Sequence, residues 1–132
     1  MQSWLGAAGV GYRWEPDLGG WRRPPGSDSP DRALREPAFR GYAHHMRGPA
    51  FGAAIDGVLA EAAAGPTAVM CSEGDWRSCH RRLVADFCAL ARGAGVRHLL
   101  HDGTVEAHVP TDGARLLDGL LVYDAGQTTL DV

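Results

Sequence analysis

No apolar run in this 132-residue sequence approaches the roughly 18 to 20 residues needed to cross a bilayer. The opening Met1-Gln2-Ser3-Trp4 lacks the basic segment and apolar stretch of a secretory leader, so the chain reads as cytoplasmic, with no membrane partner. Cysteine is scarce. Three residues, unevenly spaced, cannot make a disulfide scaffold, and in a reducing compartment they leave thiols for chemistry, metal or packing, with a Cys71 to Cys79 bridge as a minor alternative. An excess of positive charge is also missing. The formal net charge is −3 and the pI about 6.0, which gives no support to nucleic acid as a partner beyond a local basic site. Internal repeats and low-complexity tracts are absent from the sequence.

What is present suits one domain over residues 1–132, with 45% hydrophobic and 22% charged residues. Residues 1–9 suggest a partial helix and 10–14 a short extended run. Positions 15–37 hold five of the eight prolines, a composition expected of a long surface loop in which Trp21, Arg22 and Arg23 could fold over a site. Pro37 suits the first position of a helix through residue 46, and Gly48-Pro49 separates it from a second helix. In that helix Phe51, Ile55, Val58, Leu59 and Ala62 share one face until Gly65-Pro66.

Residues 67–71 form a continuous apolar run, the pattern of a strand buried on both faces of a parallel sheet. A polar loop follows. Ser78 is a plausible N-cap for a helix through residue 92, with Leu83, Val84, Phe87, Leu90 and Ala91 facing inward and Gly93 or Gly95 as the stop. Residues 96–101 read as the next parallel strand, reached by a right-handed crossover. Asp102-Gly103 predicts a type I′ turn into 104–109, and Asp118-Gly119 joins 115–117 to 120–123 in an antiparallel ribbon, so residues 110–132 form a ribbon and tail.

Chemistry concentrates between Cys71 and Arg82, which run from the carboxyl end of a strand into the first turn of a helix. Open α/β sheets place their ligand crevices there. The unpaired N–H groups and dipole of such a helix end favour an anion or a thiolate, and Arg77, Arg81 and Arg82 add cations that lower the Cys79 pKa. Glu73 and Asp75 oppose that effect, or serve with His80 in proton transfer. Arg82 and Asp86, four apart, read as a solvated surface pair. Packing and chemistry both remain open for Cys71 and Cys79, whereas Cys88, without polar neighbours, reads as a core residue. His44, His45, Cys71, Cys79 and His80 could ligate a metal, but their spacing fits the common zinc frameworks poorly, and no metal site is expected. Cys71 and Arg77 also satisfy a Cys-x5-Arg phosphatase-like loop, though Glu73 and Asp75 within it would repel phosphate. His98, His101 and His108 lie near the hairpin and are more simply structural.

Four stretches resemble the family catalogued as domain of unknown function 488, or DUF488. They are Gly11-Tyr12-Arg13-Trp14 with Leu18-Gly19-Gly20; Tyr42-Ala43-His44-His45-Met46; Met70-Cys71-Ser72-Glu73 with Cys79-His80-Arg81; and His98-Leu99 with Asp102-Gly103 and His108. The resemblance implies a small Rossmann-like three-layer α/β domain, its mostly parallel sheet ending in an antiparallel hairpin. It also places Tyr12, Gly19, Gly20 and Tyr42 beside Arg77 and Arg81 as candidate substrate-binding residues. Members usually begin with a strand ending in Gly-His-Ser and a second ending in Asp-Val-Arg. Neither occurs here, so the expectation is an N-terminally truncated version whose apolar 67–71 strand has an open edge, inviting homodimerisation.

The reading that joins these signals is a thiol or acid/base enzyme site acting on a small anionic or nucleotide-like substrate. Cys71, Glu73, Cys79 and His80 would be its catalytic residues. A non-catalytic binding module or a metal-stabilised domain with the same cluster is the alternative.

Overall fold

A computed structural model describes residues 9–19, 30–70 and 75–124. Helix α1, Pro37–Met46, begins on the proline whose fixed φ suits a first helical position, and it buries Tyr42, Ala43 and Met46. Gly48 and Pro49 then redirect the chain into α2, Pro49–Ala64. Its predicted inner face is covered only in part. Phe51 and Ile55 are fully buried, Val58 and Leu59 are half-buried, and Ala62 is exposed.

Helix α3, Arg81–Ala91, starts later than Ser78 suggests, because Trp76–Ser78 forms a separate 3-10 turn. Asp75 caps that turn, its carboxylate accepting from the Arg77 N–H at 3.0 Å. Leu83, Val84 and Phe87 face inward as predicted. The helix closes at Gly93, whose φ of +65° is the left-handed conformation glycine adopts without strain, while the Ala94 N–H returns to the Cys88 carbonyl.

The sheet differs from the expectation. Strands β1, Arg97–Leu99, and β2, Val105–Ala107, form one antiparallel pair, and β3, Ala114–Leu117, and β4, Leu120–Tyr123, form another. Among the described residues no strands run parallel, so the architecture is mixed α/β with two small antiparallel ribbons rather than a three-layer Rossmann-like sheet. Residues 67–70, the described part of the 67–71 run expected as a buried central strand, form no strand and are exposed, Met70 at 56%. The physical reason is plain: an apolar run becomes a central strand only where strands flank it, and the described residues supply none.

The two Asp-Gly turns also separate. Asp118 and Gly119 both have positive φ, 52° and 80°, which makes a true type I′ turn. At the other, only Gly103 is positive, and Gly103 N–H to Leu100 O with Leu100 N–H to Thr104 O makes a longer loop ending in a glycine bulge.

The core joins the three helices to β4. Phe51 meets Phe87 edge-on at 4.9 Å and Tyr42 at 5.8 Å, with Leu34, Met46, Leu83, Leu121 and Tyr123 packed around them. Part of the expected surface loop is therefore interior: Leu34 is 1% exposed and Asp31 fully buried. Asp31 accepts from Arg47 Nη1 at 3.0 Å, Arg47 Nη2 at 2.8 Å and the Tyr123 N–H at 3.0 Å, which fastens this segment to α1 and β4. The suggested helix at the first residues and the Trp21, Arg22 and Arg23 excursion lie outside the described residues.

Candidate functional site

Cys79 sits at the join between the 3-10 turn and α3, 8% exposed. Its position is set by the turn itself. The Sγ accepts from Arg81 Nε at 3.2 Å and from the Arg81 N–H at 3.4 Å, and its S–H faces the Trp76 carbonyl at 3.8 Å. His80 is the N-cap residue of α3 but makes no side-chain capping bond, and its ring lies 5.2 Å from that of Tyr42. Arg77 is half exposed, with its guanidinium 4.7 Å above the Trp76 ring and paired with Glu106 and Asp75. Four of the sequence candidates, Arg77, Cys79, His80 and Arg81, thus share one junction.

Other candidates stand elsewhere. Tyr42 is fully buried and its hydroxyl donates to Leu18 O at 2.9 Å, tying α1 to the 3-10 turn Pro16–Leu18 that Gly19 closes. Tyr12 is 39% exposed. Cys71, Glu73 and Gly20 lie outside the described residues, and with them any Cys71 to Cys79 bridge and the Cys-x5-Arg loop. His45 Nε2 is bonded to Asp17 O at 2.7 Å. Among the described residues no three His, Cys, Asp or Glu side chains are grouped to hold a metal ion.

Beside this junction lies a polar chain that the sequence reading missed. Asp86 is fully buried rather than solvated, and its hydrogen-bond partner is His108, not Arg82. One carboxylate oxygen bonds His108 Nε2 at 2.7 Å and the Thr111 N–H at 3.0 Å; the other accepts from the Tyr123 hydroxyl at 2.8 Å. Because the carboxylate needs a donor, His108 carries its proton on Nε2, and its Nδ1 then accepts from His98 Nε2 at 2.8 Å. Trp76 covers the outer end, stacked on His98 at 3.6 Å with its indole N–H on Glu106. The run Trp76, His98, His108, Asp86, Tyr123 is continuous. One signal could have revealed Asp86: it lies three residues after Leu83 and four before Leu90, on the edge of the apolar face of α3.

Two of these groups are electrostatically displaced. Burial, then the negative charge of Asp86 and its hydrogen bond, pushes the Tyr123 phenol far up, so it stays a donor. Burial first, then His108, lowers the His98 imidazole below its usual 6.5. The unfolded chain therefore binds a proton near 6.5 that the folded chain still refuses. This contribution to stability is full above that value and declines as pH falls from it toward the folded pKa. Urea midpoints followed from about pH 7 to about pH 5 are expected to drop more in the parent than in His98→Gln. Equal slopes would show that His98 is not held neutral.

With the geometry in place, similarity adds a family. A family model described as domain of unknown function DUF488 matches residues 1–88. No curated protein and no solved structure matches. The matched span holds α1, α2 and the Arg77, Cys79, His80 and Arg81 junction, and the chain belongs to the DUF488 family.

Proposed function

We propose that this DUF488 chain carries a thiol-based acid/base site, centred on Cys79, that acts on a small anionic substrate. The observation that supports it most is the pair of Arg81 N–H groups aimed at one sulfur. Donors of this kind stabilise a thiolate over a thiol, and the thiolate is the nucleophile. His80, next in the chain, is the proton-handling residue, and Arg77, exposed at the same turn, holds the anionic group. Cys71 and Glu73 join the site on sequence grounds as a second thiol and a carboxylate.

Cys88 provides an internal comparison. Burial pushes its thiol up, only partly countered by Arg92. Alkylation by iodoacetamide at neutral pH, read by peptide mass spectrometry, is expected to modify Cys79 at least about tenfold faster than Cys88. Arg81→Met should slow Cys79 and leave Cys88 unchanged. Equal rates for the two thiols would remove the nucleophile.

A second reading has its own support. Cys79 is buried and bonded to both sides of the turn, as a purely structural residue would be. In that case Cys79→Ala lowers the unfolding midpoint and alkylation stays slow.

A further inference from the structure

The hydrogen bonds of the buried polar chain all run in one direction. Asp86 accepts from His108 Nε2 at 2.7 Å, and His108 Nδ1 accepts from His98 Nε2 at 2.8 Å. A neutral imidazole has one N–H and one lone pair, so giving the His98 proton to His108 leaves His98 Nδ1 a bare acceptor. That nitrogen has no hydrogen-bond partner among the described residues. The described side-chain atoms sealed from solvent without a partner are Arg82 Nε and Thr111 Oγ1. His98 Nδ1 is not one of them, so it opens to water at the margin of a residue 9% exposed. The inner members are closed off, with the His108 side chain 1% exposed and that of Asp86 0%. The chain thus has an inner end that holds negative charge and an outer end that offers a lone pair.

We propose that Asp86, His108 and His98 form a proton relay whose working end is His98 Nδ1, a base that takes a proton from a small weak acid. The donor's proton bonds to His98 Nδ1, and the His98 Nε2–H bond breaks as that proton moves to His108 Nδ1. His98 ends neutral as the other tautomer, the donor leaves as its conjugate base, and the positive charge rests on His108 against the Asp86 carboxylate. Surrounding charges set this direction. His108, Arg81 and Arg77 oppose a cation on the His98 ring and Glu106 favours one, while Glu106 is itself engaged by Arg77 and the Trp76 indole N–H. At the inner end Asp86 accepts from the neutral Thr111 N–H and Tyr123 hydroxyl, with Arg82 and Asp31, opposite in sign, acting on Tyr123 from further off. Arg77, half exposed beside the outer end, favours a donor that becomes an anion on losing its proton. Cys79 takes no part in these bonds, so the relay is independent of the thiol reading.

The test is long-range proton–nitrogen NMR of the isotope-labelled full chain, followed from about pH 8 to about pH 5. At the upper end both His98 and His108 are expected as Nε2–H tautomers. As the pH falls, His98 should change to its Nδ1–H tautomer while the imidazolium forms on His108, both with one midpoint. Tyr123→Phe takes a neutral donor from Asp86 and leaves more of its charge for His108, so that midpoint should move up by about half a pH unit. Diethyl pyrocarbonate checks the opening. Attack by His98 Nδ1 forms an N–C bond, expels ethyl carbonate and sends the Nε2 proton to His108. At about pH 7 His98 should therefore react within about tenfold of the exposed His44, as peptide mass spectrometry reads it. An imidazolium on His98 with His108 still neutral, His98 as Nδ1–H at the upper end, an unmoved midpoint in folded Tyr123→Phe, or His98 untouched while His44 reacts would each overturn the proposal. The titration of the parent decides it if Tyr123→Phe does not fold.

Discussion

Asp86→Ala is expected to cost about 3–5 kcal/mol of folding stability, a large part of the total for a domain of this size. The carboxylate is fully buried and accepts from an imidazole, a backbone N–H and a phenol. Truncation strands all three donors in a space that water does not reach. Leaving donors buried and unpaired costs more than the bonds themselves contribute, because the desolvation penalty then stands alone. The order among variants is as telling as the size. Asp86→Asn keeps one carbonyl oxygen but turns an N–H₂ toward a donor, so it should fall between Asp86→Ala and Tyr123→Phe, which removes a single hydroxyl and costs about 1 kcal/mol. Urea unfolding gives all three values. An Asp86→Ala protein within about 1 kcal/mol of the parent would show that the chain of hydrogen bonds contributes little.

Asp31→Ala is expected to be nearly as damaging, again about 3–5 kcal/mol. Its side chain is fully buried against an Arg47 side chain only 14% exposed, and the pair is two-pronged. Arg47 also donates to the Leu121 carbonyl at 3.0 Å, and Asp31 takes the Tyr123 N–H. Removing the acid leaves a guanidinium sunk in the protein with one carbonyl for company. Removing both partners is a different experiment. An Asp31→Leu, Arg47→Met double variant replaces the charges with apolar volume and should recover much of the loss, since a buried pair owes most of its apparent strength to the penalty of breaking it. A strictly additive double-mutant cycle would deny the coupling.

The helices were legible because each carries its own punctuation. Pro37 and Pro49 open two of them, and Gly93 closes the third at a left-handed φ. The Asp118-Gly119 hairpin was legible for the same local reason. The parallel sheet was a tertiary inference. It required residues 67–71 to find flanking strands, and an apolar run carries no information about whether they are there. Asp31 was hidden differently: it sits in a Pro-rich stretch whose composition argues for a loop, and the chain bends that loop inward to meet Arg47. At the site, the clustering of Arg77, Cys79, His80 and Arg81 follows from their adjacency. The Asp86, His108 and Tyr123 network does not, because its members are spread over residues 86 to 123 and join only when both ribbons dock on α3.

The match to the family ends at residue 88, which is inside α3, Arg81–Ala91, rather than between elements. Asp86 falls on one side of that limit and His98, His108 and Tyr123 on the other. A recombinant piece trimmed to the region of similarity would keep a buried acid and discard every side chain that answers it. Similarity marks where relatives are alike, whereas the physical unit runs at least to the strand that carries Tyr123.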